Sequence, residues 1–480
     1  MTPKKNGFRT ERDSLGEKRI PLKAYYGIQT QRAVENFPIS GLCAPPVLIA
    51  ATAGVKLASA RANYKLGFLD RKRTNAICRA ASEVIQGGLS REFVVDAFQA
   101  GAGTSHNMNA NEVIANRAIE LLGGSLGDYS IVHPNDHVNM SQSTNDTVPT
   151  ALRVAALMSS QKLIAAIERL EKAFRRKSKE FSRVIKSGRT HLQDAVPMTL
   201  GQEFGSYASA MKAARERLID ASKRLKEVGL GATAVGTGMN THRRYRDTVL
   251  AELKKATGIK GLKKANDPFE AISFMSDFAA LSGAMKIACV DLVKISNDLR
   301  LLSSGPHTGL AEITLPAVQP GSSIMPGKVN PVMAEMLAMV SFHVMGSDHA
   351  VTLAAQAGQL ELNVMTPVIA HNILGSASIL TNALDAFTQK CVDGIKADKK
   401  RCAEYFESSA GLATVLNVFI GYEKAASVVK ESMATGKSIR ETVTEKNIMT
   451  EAQWKRLMKP ENITAPADLR GLLKKRKNKK

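Results

Sequence analysis

The sequence predicts a helical fold organised around an elongated bundle of long helices, and three observations carry that reading. Hydrophobic residues make up 44% of the 480 positions and aromatics only 5%, an aliphatic, alanine-rich mix that suits helix bundles better than β-sandwiches. Apolar residues in the middle of the chain recur at alternating threes and fours, the spacing of one helix face, over unusual lengths. The longest such run stops at Ser303-Ser304-Gly305-Pro306, where Gly-Pro is the expected end punctuation.

Taken in order, roughly the first 140 residues mix turns, short strand-like runs such as Tyr25-Tyr26-Gly27-Ile28, and moderate helices. Leu163, Ile167, Leu170 and Phe174 then repeat at 4-3-4, as do Phe204, Tyr207, Met211, Ala214 and Leu218 in alternation. Leu281, Met285, Ala288, Leu292, Ile295, Leu299 and Leu302 continue the pattern for about six turns, so helices near 30 residues would span on the order of 45 Å. Such helices must bury an apolar stripe along their whole length, most simply in a bundle. A further run, Met333, Leu337, Val340 and Val344, follows Pro331, which suits a first helical position, with Asn330 as its N-cap. From about residue 400 the elements shorten, with small helices expected over 425–433, 438–446 and 450–458. A chain of this length exceeds one ordinary core. Its domains read as 1–142, 143–399 (with the long helices and the Gly321–Pro331 loop) and 400–480, the last ending in a basic tail, Leu473 to Lys480, read as disordered.

Five scattered cysteines without a CxxC pair argue against a disulfide framework or a thiolate metal site and fit reduced thiols. The N-terminus is polar and no segment approaches a membrane span, so the chain reads as soluble and cytoplasmic. The net charge of +22 raises nucleic-acid binding. However, the basic runs (Arg71–Arg73, Arg175–Lys177, Arg243–Arg244, Lys399–Arg401 and the tail) are dispersed and lack interleaved aromatics. A solvated surface that steers small dianions is the better account.

Four polar strings stand beside helical runs: Gly101–Asn109, His133–Asp146, Gly188–Asp194 and Gly321-Ser322-Ser323-Ile324-Met325-Pro326-Gly327-Lys328-Val329-Asn330-Pro331. Gly101-x-Gly103 does not complete a dinucleotide fingerprint within a βαβ unit. His133, Asp136 and His137 lack a third histidine or an HExxH frame for a metal, and no G-x-S-x-G elbow supports a serine hydrolase. Many neutral donors with one lysine suit a small polycarboxylate, because hydroxyls and amides bind carboxylate oxygens while Lys328 adds a full charge. Proton removal from carbon beside a carboxylate requires a stabilised dianionic intermediate, which preorganised donors and a helix N-terminus supply. No organic cofactor or metal is called for.

In order and spacing these four strings resemble those of the fumarase/aspartase superfamily, and the likeness runs from Arg9 to about Pro466. The resemblance implies an all-α, three-domain fold whose long helices form a twenty-helix core in a homotetramer, with each active site drawing on three subunits. It implies a small dicarboxylate as substrate. It also implies Ser322 as general base, with Ser323 beside it, and Lys328 and Asn330 as ligands of the carboxylate that becomes the aci-acid. Thr104, Ser143, Thr144, Asn145, Thr190 and His191 would complete the pocket, and Glu335 would partner His191. Ala24–Gly27, Glu35–Ile39, Thr144 and Gly358–Met365 look like the aspartase branch, whereas Pro268–Ala271 has a fumarase flavour. The chain departs from the usual pattern at His307, Thr366 and the Met239–Tyr245 segment. The activity so implied is elimination of ammonia from L-aspartate to give fumarate. Hydration of fumarate is the same-chemistry alternative, and a nucleic-acid-binding or structural protein on an inactive scaffold is the third.

Overall fold

The computed structural model describes residues 7–473, so the lysine-rich tail lies almost wholly outside the described residues. Helices dominate, and the described strands form four two-stranded sheets. The periodic stripes become long helices at Thr144–Glu180, Leu200–Arg224, Ser276–Leu302, Val332–Gln356 and Thr366–Lys390. The first has 37 residues, about 55 Å of rise. The stripes are buried as their spacing requires: Leu163, Ile167, Leu170, Phe174, Leu292 and Leu299 are each at 0% exposure. No helix among the described residues is long and apolar enough to cross a membrane.

The chain divides into two compact units. One holds the chain up to Ala165, Ala214–Cys289 and Val340–Thr381; the other holds Ala166–Ala213, Val290–Met339 and the chain from Asn382. In the first, helices Pro46–Lys65, Arg71–Ile85 and Thr104–Leu121 pack around Leu57, Ile77, Val113, Ile114 and Ile119. In the second, Tyr422–Thr435, Ile439–Glu445 and Glu451–Leu457 close a core of Leu416, Val443, Trp454 and Leu457. Ser438 and Thr450 start the last two of these helices with reciprocal capping boxes to Glu441 and Gln453, the local reason these short segments fold as helices.

Two local expectations are corrected. Tyr25–Ile28 is not a strand. Ile28 opens a helix, Ile28–Asn36, whose first N–H groups are taken by the buried Glu112 carboxylate at 2.9–3.0 Å from Gly27, Gln29 and Thr30 nitrogens. The strands near the N-terminus are instead a Phe8–Asp13/Gly16–Pro21 hairpin. Asn330 also does not cap the following helix. Pro331 is the residue whose carbonyl accepts from Glu335 N at 3.2 Å, and Asn330 Nδ2 donates back to Gly321 O at 2.6 Å, closing the neck of the preceding loop.

The five cysteines are free thiols, three of them buried. Burial pushes Cys289, Cys391 and Cys402 up to about 12, which keeps them protonated and inert.

Candidate active site

In the first unit the donors gather at two helix starts. Gly101–Gly103 forms a tight turn, with Ala102 at φ 61° and Gly103 at φ 77°, pinned by Ala102 N donating to Val364 O at 2.8 Å. It delivers exposed Thr104 to the first position of the Thr104–Leu121 helix, where the helix dipole favours an anion while Thr104 N donates to Gly101 O and His106 N to Gln99 Oε1. Ser143 starts the Thr144–Glu180 helix in the same manner. Its Oγ accepts from Asn145 N at 3.2 Å, and Asp146 Oδ1 accepts from Ser143 N at 3.0 Å, an aspartate version of the reciprocal cap. The other Asp146 oxygen accepts from Gly231 N and Thr233 N, each at 2.9 Å. Full burial raises this carboxyl to about 6 against the pull of those N–H bonds. Asn145 Nδ2 is held by Ala234 O at 2.7 Å. Ser143, Thr144 and Asn145 therefore sit half-buried at a helix start whose backbone is fixed from beneath.

Sequence reasoning missed what lies beneath that helix start. Lys56, fully buried on the Pro46–Lys65 helix, places its Nζ 2.7 Å from Asn107 Oδ1, 2.9 Å from Asn139 Oδ1 and 3.0 Å from Gln142 Oε1. Burial pulls the ammonium down to about 7, opposed by the nearby Asp146 charge. The signal was available: Lys56 is the single charged residue between Pro45 and Ala60, and a lone charge in an apolar helix needs built partners.

The second unit carries the other two strings. Gly188–Asp194 belongs to a hairpin, Ile185–Thr190 with Gln193–Thr199, whose two-residue turn is His191 (φ 54°) and Leu192 (φ 59°). Positive φ at both positions is the geometry that matches strand twist. Asparagine and glycine usually occupy such a turn, and a branched Leu192 there stores on the order of 1 kcal/mol of strain. Gly188 is required where it stands, because a Cβ would meet Val196 O at 2.8 Å. A buried charge cluster roots the hairpin: Glu312, at 0% exposure, lies 2.7 Å from Lys186 Nζ and 2.8 Å from Arg189 Nη1, and Lys186 also meets Glu203 at 2.7 Å. Thr190 and His191 are presented at the exposed tip.

The Gly321–Pro331 loop folds back on itself. A Cβ on Gly321 would lie 2.3 Å from Lys328 O and 2.7 Å from Asn330 N, so only glycine fits that neck. Inside the loop the half-buried Ser322 Oγ accepts from Met325 N at 2.9 Å and Ile324 N at 3.3 Å, which favours negative charge on this oxygen. Ser323 and Lys328 are exposed, and Lys328 has no ion-pair partner among the described residues. Glu335 lies in the first turn of the Val332–Gln356 helix, where its charge is favoured.

Thr104, Ser143, Thr144 and Asn145 thus belong to one unit, and Thr190, His191, Ser322, Ser323, Lys328, Asn330 and Glu335 to the other. Within the second unit, the hairpin tip and the serine loop exchange no hydrogen bond among the described residues, and His191 and Glu335 share none. His133 and His137 serve the backbone. His133 Nδ1 accepts from Asn135 N and Asp136 N, and His137 Nδ1 accepts from His133 N at 2.7 Å. Among the described residues no group of three His, Cys, Asp or Glu side chains is placed to hold a metal.

Comparison with known proteins sets this geometry in context. Residues 16–346 match the family model described as Lyase, and residues 412–465 match Fumarase C C-terminus. An aspartate ammonia-lyase from Bacillus sp is 49% identical over 458 residues, covering 95% of this chain and 98% of that protein. Among solved structures, a fumarate lyase:delta crystallin from Brucella melitensis bound to cobalt superposes with a TM-score of 0.93 at 48% identity, covering 96% of this chain and all of the other. The recombinant class II fumarase from Schistosoma mansoni does so with a TM-score of 0.91 at 37% identity, again over 96% of this chain and all of the other. With its long buried helices, its serine loop and a family match over most of its length, the chain belongs to the fumarase/aspartase superfamily.

Proposed function

We propose that the chain is an aspartate ammonia-lyase, releasing ammonia reversibly from L-aspartate to give fumarate, and that it works as a homotetramer whose active sites each draw on three subunits. The observation that carries the reading is the self-closed serine loop, with two N–H groups aimed at Ser322 Oγ, in a chain about half identical end to end to an aspartate ammonia-lyase. Acting as the alkoxide, the form its two N–H donors favour, Ser322 Oγ takes the proton from the carbon beside the β-carboxylate and becomes the neutral hydroxyl. The freed electron pair moves onto that carboxylate as an enediolate, held by Lys328 and by the amide proton of Asn330 that Gly321 leaves free. The pair then returns to form the carbon–carbon double bond as the opposite C–N bond breaks and ammonia departs. Thr104, Ser143, Thr144 and Asn145 would bind the carboxylates from one subunit, Thr190 and His191 from another, and the serine loop, with Glu335 as the partner His191 would meet across subunits, from a third.

The likeness to a class II fumarase at 37% identity favours a second reading, with water as the leaving group. Fumarate absorbance decides: signal from L-aspartate alone upholds the proposal, and signal from L-malate alone replaces it. Silence from both, with salt-sensitive DNA binding, would point to an inactive scaffold. Ser322→Ala is expected to lower turnover by about 10³-fold or more, the scale of losing a positioned base, with the assembly unchanged. Retained turnover refutes the assignment of the base.

A further inference from the structure

We infer that Lys56 is a positioning residue that fixes the donor direction of the Thr144 hydroxyl by orienting the side-chain amide of Asn107. The inference rests on the reading of Thr144 as a carboxylate donor. Three oxygen neighbours suit Lys56 as an ammonium, and in that form it carries three protons and no acceptor, so each group it touches turns an oxygen toward it. Lys56 Nζ contacts Asn107 Oδ1, Asn139 Oδ1 and Gln142 Oε1 at 2.7, 2.9 and 3.0 Å, which assigns all three amides. Their nitrogens then point away. Gln142 Nε2 reaches Val138 O and Met140 O at 3.0 and 3.2 Å, and Asn139 Nδ2 reaches Gln142 O at 3.3 Å, so the backbone of the loop before Ser143 is held from the same centre.

Asn107 Nδ2 points at Thr144 Oγ1, 3.2 Å away, and at Asn139 Oδ1, 3.3 Å away. An N–H group donating into Thr144 Oγ1 makes that oxygen an acceptor on its inner side. The hydroxyl proton is thereby left for an outer partner, the direction a carboxylate ligand needs. Lys56 and Asn107 are both buried, at 0% and 1% exposure, so water does not substitute for either in this chain of contacts. Without the ammonium the Asn107 amide is free to rotate by half a turn, present Oδ1 to Thr144, and draw the hydroxyl proton inward.

Asn107→Asp tests this with almost no change of shape. Lys56 gains a carboxylate partner, so the fold keeps its buried charge satisfied, but the group facing Thr144 becomes an acceptor. In the full-length protein, KM for L-aspartate and the inhibition constant for succinate, a dicarboxylate that cannot eliminate, should both rise. The expected rise is on the order of 10- to 100-fold, the scale of losing one hydrogen bond to a charged ligand. Turnover at saturation should stay within about threefold, because the contact serves substrate and transition state alike. Lys56→Met, where it folds, should show the same split. In a Thr144→Val background, Asn107→Asp should add less than about a twofold change, since the hydroxyl it acts through is gone. Binding of aspartate and succinate by Asn107→Asp within twofold of the unaltered protein overturns the inference, as does a penalty undiminished without the Thr144 hydroxyl. No fumarate from L-aspartate with the unaltered protein overturns the proposed function and this inference together.

Discussion

Replacing Glu312 by glutamine tests whether the hairpin that carries Thr190 and His191 is held by its buried charges. Glu312 is fully buried, Lys186 is at 3% and Arg189 at 15% side-chain exposure, with contacts of 2.7 and 2.8 Å. Breaking a buried pair by removing one partner costs roughly 3–5 kcal/mol, because an uncompensated charge stays in the interior. Here the cost falls below that range for a structural reason. Lys186 keeps Glu203 at 2.7 Å, Arg189 keeps the face of Tyr405 at 5.4 Å, and the glutamine oxygen still accepts one hydrogen bond. Each retained contact returns on the order of 1 kcal/mol. The expected loss is about 2 kcal/mol, read as a lowered denaturation midpoint. Arg189 adjoins Thr190, so the tip should also lose its register, and turnover with L-aspartate should fall by about tenfold or more, as displaced positioning groups do. The exposed pair Arg176–Asp393, at 62% and 42% exposure, provides the control, since Asp393→Asn should cost less than about 1 kcal/mol. If Glu312→Gln costs no more than that control, the charge cluster does not anchor the hairpin and the reasoning fails.

Two further outcomes follow from the geometry. Gly321→Ala inserts a methyl 2.3 Å from Lys328 O; because that neighbour is backbone, the neck must open, and turnover should fall at least about tenfold while the unfolding midpoint moves little. Unchanged turnover would show that the self-closed loop is not the working conformation. Asp146 is raised by burial from 3.8 to about 6, so between those values the folded chain holds a proton that the unfolded chain has lost. Stability therefore falls as pH rises from about 4 to about 6, by on the order of 3 kcal/mol, and is flat in this respect above that window. Asp146→Asn should remove the slope, and parallel midpoint-versus-pH curves for the two proteins would disprove it.

The parts of this molecule legible in sequence are those specified by local repetition. Leu281 to Leu302 reads as one helix because each turn buries its own residue, and Ser303–Pro306 stops it for reasons contained in four residues. What escaped is specified by partners far along the chain. The start of the Ile28–Asn36 helix is capped by Glu112, more than 80 residues away, so the aromatic strand propensity of Tyr25-Tyr26 was the only local signal and it misled. The Ile185–Thr199 hairpin buries Lys186 and Ser187, which erases the alternation that marks a strand, and its turn uses His191-Leu192 in place of the usual asparagine and glycine.

The candidate site divides along the same line. Residues that would touch the ligand are recognisable as types, because hydroxyls, amides and one lysine clustered in loops have few structural uses. Their orientation is not recognisable, since it is set from below by groups such as Lys56, Asp146 and Glu312, and even where the sequence marks such a group, as the lone charge Lys56 does, it does not say which neighbours that group turns. Burial gives these groups their leverage. An ammonium or carboxylate without water must dictate the direction of every polar neighbour to remain satisfied, and the exposed donors inherit that direction. The orientation of these exposed groups is therefore tied to buried charges beneath them, and substitutions at those buried positions should alter ligand affinity and hairpin register more than they alter the helical framework.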